Sequence, residues 1–182
     1  MPLSAPAARE SIHERRIDCK GYRRGDGLWD IEGHLTDRKT YDFVNAWRGE
    51  VKAGEPVHEM WLRLTIDDDL TIRAAEAATE AAPYRVCSGA SPLFRRLEGL
   101  RIRAGFKREV HKRLGGNCGC THLIELAGRL ATVALQTIVP LRDREKAGNR
   151  ADIHPSLLDS CHALRRDGEV VREFWPNHYT GP

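Results

Sequence analysis

Between His58 and Ile66 the chain alternates strictly: His58, Met60, Leu62, Leu64 and Ile66 take turns with Glu59, Trp61, Arg63 and Thr65. Successive side chains of a strand point to opposite faces, so such a run builds a strand with one apolar and one polar face. It stops at Asp67-Asp68-Asp69, which has turn composition and lacks the further ligand positions and the glycine of a calcium loop. The same period governs two earlier runs. Ile17, Cys19 and Gly21 alternate with Arg16, Asp18 and Lys20, and Trp29, Ile31, Gly33 and Leu35 alternate with Asp30, Glu32 and His34. Arg24-Gly25-Asp26-Gly27 between them suits a turn, so the two runs pair as a β-hairpin. Tyr41 to Trp47 is expected to extend the sheet and Leu70 to Thr79 to return as a further strand.

A sheet with one apolar face needs a covering layer, and the second half of the chain supplies helical patterns. Ser91-Pro92 resembles a helix start, with Phe94, Leu97 and Leu100 spaced for burial. A second helix is expected over Lys107 to Leu114, ending at Gly115-Gly116. The third and longest, from about Cys120 to Ile138, carries one apolar stripe of Leu123, Ala127, Leu130, Ala134 and Ile138 and another of Ile124, Ala131 and Leu135. Past Pro140 the charged segment Arg142 to Arg150 reads as an exposed loop, and Cys161 to Leu164 with Val170 to Phe174 as a last hairpin. The expected fold class is therefore α+β: an antiparallel sheet of about four to six strands on about three helices, the longest near 120–138. Residues 1–10 form a flexible lead-in and residues 11–182 one domain, with an exposed loop near 141–153.

Net charge excludes little. Lys and Arg number 29 against 26 Asp and Glu, and the arginine pairs are scattered rather than gathered on one stripe, which argues against nucleic acid. The five cysteines are odd in number and irregular in spacing, so reduced thiols and a cytoplasmic setting are expected. No stretch reads as the roughly 18 to 20 apolar residues of a membrane helix, and none resembles a leader segment. Walker-type phosphate loops, dinucleotide-binding glycine motifs and serine-nucleophile elbows are lacking, so no organic cofactor is expected.

Chemistry concentrates in Gly115-Gly116-Asn117-Cys118-Gly119-Cys120-Thr121-His122, just before the long helix. Free amides and the positive end of the helix dipole favour anions there. His122 and Glu125 are three residues apart and share a helix face, which suits a general acid or base with a carboxylate orienting it. Equally, that polar stripe can be a buried network that only fixes packing. His58, His34 and Asp30 are further catalytic candidates from the sheet, and Arg16, Arg63 and Tyr22 are candidates for binding an anionic substrate. On the hairpin, Arg16, Asp18, Tyr22, Asp30, Glu32 and His34 form either a solvated face of cross-strand pairs or the floor of a pocket. Cys118, Cys120 and His122 lie close enough for a transition metal, but without the paired Cys-x-x-Cys elements of a zinc site.

The segments Arg15-Arg16-Ile17-Asp18-Cys19, Gly27 to Asp37, Met60 to Asp67 and Gly119-Cys120-Thr121-His122-Leu123 resemble, in order, the bacterial domain of unknown function family 2889. The likeness spans about Ile12 to Thr137 and implies a proteobacterial cytoplasmic protein, with no activity attached. Gly119-Cys120 alone is also similar to the Gly-Cys that opens a helix in iron-sulfur cluster scaffolds. Three functions are expected in order: a cofactor-independent lyase, isomerase or hydrolase acting on an anionic or aromatic small molecule; a metal- or iron-sulfur-binding protein using Cys118, Cys120 and His122; and a non-catalytic binding or assembly module, with Trp47 or Trp175 at a homodimer interface.

Overall fold

The computed structural model describes residues 3–147 and 157–182. Its centre is a four-stranded antiparallel sheet in the order β1-β2-β5-β6, built from β1 (His13–Arg23), β2 (Trp29–Lys39), β5 (Pro56–Ile66) and β6 (Ile72–Ala81). The predicted hairpin forms with Arg23 opposite Trp29 and Ile17 opposite Leu35. Gly27 at the turn has φ +82°, a left-handed conformation that glycine adopts without a Cβ clash. β2 then pairs with β5, placing Leu35 opposite Met60 and Ile31 opposite Leu64. These residues, with Leu62, Ile66 and Ile72, are fully buried on the inner face.

Outward-pointing residues meet across the strands as ion pairs and ring contacts. Arg63 bonds Glu32 at 2.7 Å, Thr65 donates to Asp30 at 2.7 Å, and His34 stacks on Trp61 with ring centroids 3.7 Å apart. Asp30, Glu32 and His34 of the polar hairpin face thus each have a partner on β5.

The inner face is covered from the other half of the chain. A 3-10 segment, Arg85–Leu97, buries Phe94 and Leu97 completely. After it come α1 (Phe106–Leu114) and α2 (Thr121–Ala147). The first α2 stripe, Leu123, Ala127, Leu130, Ala134 and Ile138, is buried throughout. Gly33 on β2 makes the close packing possible, because a Cβ there would lie 2.6 Å from Leu126 Cδ1 and 2.9 Å from Leu130 Cδ2. Gly21 on β1 gives the same clearance beneath Thr137.

Several elements depart from the sequence expectation. Phe43–Asn45 (β3), within the stretch expected to extend the main sheet, pairs instead with Gly49–Val51 (β4) as a separate two-stranded ribbon. Pro92 lies inside the 3-10 segment, not at the start of an α-helix. α2 continues through Pro140 to Ala147, so residues 141–147 of the expected loop are helical, and 148–153 lie outside the described residues. Proline removes one helix hydrogen bond there, while the following Leu-Arg-Asp-Arg-Glu-Lys-Ala is rich in good helix formers. The expected last hairpin is instead a 3-10 turn, His162–Leu164, and a short helix, α3 (Glu169–Phe174). α2 is also the described helix long and apolar enough to cross a membrane, with a window of mean hydropathy 1.3, of which half is buried in the protein itself. Its apolar character comes from carrying two apolar stripes.

The chain divides into two compact units, residues 1–138 and 139–182. The second has its own small core of Leu158 and Val171, against which Leu157, Leu164, Trp175 and Tyr179 pack. Trp175 is thus part of a core, whereas Trp47 is 55% exposed.

Replacing Gly33 with Val is expected to overpack the contact between β2 and α2 and cost about 1–3 kcal/mol. Urea unfolding checks this, and an unchanged midpoint contradicts the close approach.

Candidate functional site

Strand register carries three polar residues to the end of the apolar inner face. Counting outward from the turn, Arg15 on β1 falls opposite Asp37 on β2, and Asp37 falls opposite His58 on β5. Directly opposed residues on one face are near neighbours, so the three form a single row across the sheet. The first turn of α2 brings His122 and Glu125 over this row.

Asp37 is the hub, with its side chain 3% exposed. Arg15 donates from Nε to Oδ1 and from Nη2 to Oδ2, both at 2.7 Å, the two-pronged geometry that suits guanidinium and carboxylate. His58 Nδ1 lies 3.0 Å from Oδ2 and His13 Nε2 lies 3.2 Å from Oδ1. His122 Nε2 stands 3.8 Å from Oδ2. The rings of His58 and His122 are tilted against one another at a centroid distance of 3.9 Å. Arg15 uses its remaining Nη1 to bond Glu125 at 2.8 Å, and Arg129 approaches the other Glu125 oxygen at 3.6 Å.

The electrostatics follow from that packing. Burial pushes the Asp37 carboxyl up, but the Arg15 hydrogen bond and the charges of Arg15, His58 and His122 together bring it below the ordinary carboxylate value. An ionised carboxylate only accepts, so His58 must carry its proton on Nδ1 and leaves Nε2 as the open lone pair. Burial, then the neighbouring His122, lowers His58 despite the opposing pull of Asp37. Burial and the Arg15 charge likewise lower His122, against Asp37 and Glu125. A fixed anion therefore faces two imidazoles that favour the neutral form.

Asp37, His58 and His122 are also the described residues able to share a metal ion, each offering one ligand atom with all three within 4.8 Å of one another. The Arg15 fork on the same carboxylate sets a permanent positive charge beside that position, which works against a cation. Cys118 does not join this group: it is exposed and its thiol contacts the Asn117 side chain at 3.6 Å. Cys120 Sγ lies 3.9 Å from His122 Nδ1 and 3.8 Å from Met60 Sδ.

Of the sequence candidates, His58, His122 and Glu125 converge. Asp30, His34, Arg16, Arg63 and Tyr22 do not join them, since strand alternation puts them on the outer face. Arg16 pairs there with Glu14, Arg63 with Glu32 and Glu76, and His34 with Glu59 at 3.1 Å. Glu125, expected to orient His122, is bonded to Arg15, while the carboxylate nearest the His122 ring nitrogen is that of Asp37. Asp37, Arg15 and His13 were absent from the sequence candidates. Hairpin register was the signal that could have found the first two, because the pairing that aligns Arg23 with Trp29 also aligns Arg15 with Asp37.

Histidines with lowered folded-state pKa bind protons less readily than the unfolded chain, whose ordinary value is 6.5. Their contribution to stability is complete above that value and is lost as pH falls through the lowered folded values. The urea midpoint is therefore expected to drop between pH 7.5 and pH 5.5, and less steeply in His58→Gln and His122→Gln. A midpoint that rises on acidification contradicts this electrostatic account.

No curated protein and no solved structure matches the chain. A family model does, over residues 13–136, which includes every residue of the Asp37 network. That span is most of the chain, and the protein belongs to the family described as Protein of unknown function (DUF2889).

Proposed function

We propose that the protein is a small-molecule enzyme that moves protons with His58 and His122, without an organic cofactor. The observation that carries this reading is the hydrogen bond from His58 Nδ1 to the buried Asp37 carboxylate, with the second imidazole tilted against the first at 3.9 Å. A buried anion that fixes one tautomer leaves the lone pair of a base on His58 Nε2, and a neutral imidazole near physiological pH is ready to accept a proton. His122 is the second carrier, returning a proton to the product or taking one from the substrate. Arg15 acts on neither reacting atom. It holds Asp37 ionised and links it to Glu125, which makes it a positioning residue. Lyase, isomerase and hydrolase reactions all need such a pair, and the arrangement favours none of them over the others.

A divalent-metal site is the second reading, favoured by the three ligand atoms that lie within 4.8 Å. In that case His58 and His122 hold the ion and cannot carry protons. The bound Arg15 favours the proton-transfer reading, and metal content of the purified protein separates the two.

The test is a turnover screen with chromogenic esters and with oxo and hydroxy acids, the latter followed by proton NMR in heavy water. Turnover is expected to fall by about 10²–10⁴-fold in His58→Gln and His122→Gln. Outer-face controls Arg16→Gln and Arg63→Gln are expected to keep it. Turnover that survives both histidine substitutions, or no turnover with any class, contradicts the reading.

A further inference from the structure

Between α1 and the start of α2 lies a cleft of about 420 Å³, within the size range of small-ligand sites. Its walls combine two kinds of chemistry. Val110 and Ile124, both nearly buried, contribute an apolar surface. Lys107 from α1 and Arg129 from α2 contribute cations, and His111 from α1 stands beside them. Gly128 opens the middle of the cleft: the stem of Lys107 lies across it, so that a Cβ there would meet Lys107 Cε at 3.4 Å.

The charges are unbalanced. Glu125 is the carboxylate in the lining, and one of its oxygens is already taken by Arg15 at 2.8 Å. Arg129 reaches the other only at 3.6 Å, with its own side chain 64% exposed. Lys107 has no carboxylate within ion-pair distance among the described residues. His111 is fixed in orientation by donating Nδ1–H to the Lys107 carbonyl at 3.2 Å, which turns Nε2 free. A neutral apolar ligand leaves Lys107 and Arg129 unused, and a bare inorganic anion leaves most of the 420 Å³ unfilled.

We propose that this cleft binds an organic anion, with a carboxylate between Lys107 and Arg129 and an apolar body against Val110 and Ile124. Glu125 joins the cleft to the histidine network, because it lines the first and bonds the arginine that grips Asp37. Calling the ligand a substrate rests on the proton-transfer reading above; the binding claim does not.

The experiment is a titration of the full ¹⁵N-labelled chain with benzoate, acetate and inorganic phosphate, followed by the amide signals of Gly115, Gly116 and Gly128, which line the cleft. Benzoate is expected to shift these signals saturably, with acetate and phosphate binding at least about ten-fold more weakly. Lys107→Met and Arg129→Met are each expected to weaken benzoate by about ten-fold while keeping a dispersed spectrum. His122→Gln is expected to keep benzoate affinity, so that a failed proton-transfer reading leaves the cleft standing and a failed cleft leaves that reading standing. Three results overturn the proposal: no saturable shift at these glycines, benzoate affinity unchanged when both cations are replaced, or acetate or phosphate binding as tightly as benzoate.

Discussion

A carboxylate with 3% exposure stays charged only if something pairs it, and in this protein that something is the Arg15 fork on Asp37. The rest of the site depends on it. Arg15 holds the proton off Asp37; the ionised Asp37 then fixes the His58 tautomer, and the same arginine reaches Glu125 on α2. One cation thereby ties β1, β2, β5 and the first turns of the long helix into a single polar cap at the end of an apolar sheet face. The cap is affordable because each buried donor and acceptor in it has a partner, and among the described residues no buried side-chain polar atom is left without one.

Geometry of the fold places this cap. The two glycines Gly33 and Gly21 let α2 descend onto the sheet, and the apolar stripe of α2 fixes its rotation. With Leu123, Leu126 and Leu130 turned into the core, the helix faces His122 and Glu125 toward the polar end of β1, β2 and β5. Large side chains at either glycine position would lift the helix and part His122 from Asp37. Packing in the core and alignment in the site are therefore one constraint.

Much of this was legible in the residues. Alternation gave the strands and their faces, the Arg24–Gly27 turn gave the hairpin, the Gly115-Gly116 stop gave the end of α1, and the 3.6-residue stripes gave the first five turns of α2. The resemblance to the family also agreed with the match over residues 13–136. Parity was where the site reading slipped: Arg16 and Arg15 differ by one position, and in a strand that is the difference between solvent and the Asp37 network. Asp37 itself follows a buried Thr36 near the end of β2, where a lone carboxylate reads as a strand terminus unless its cross-strand partners are counted. The helical course past Pro140 was hidden because proline and a charged run are the ordinary signs of a loop, although the residues of that run are good helix formers. The β3–β4 ribbon was missed because Gly49 to Pro56, with two glycines and a proline, has the composition of a loop and hides the short strand Gly49–Val51.

The central claim is that an ionised Asp37 fixes the proton of His58 on Nδ1, while burial and the neighbouring His122 keep that ring neutral against the pull of the carboxylate. Long-range ¹H–¹⁵N correlation of the imidazole nitrogens at pH 7.5 reads that state directly. The account predicts one protonated nitrogen in His58, assigned to Nδ1, a bare Nε2, and a shift in this pattern when Asp37 is replaced by Asn. A doubly protonated His58 ring, or a proton on Nε2 with Nδ1 bare, would contradict it.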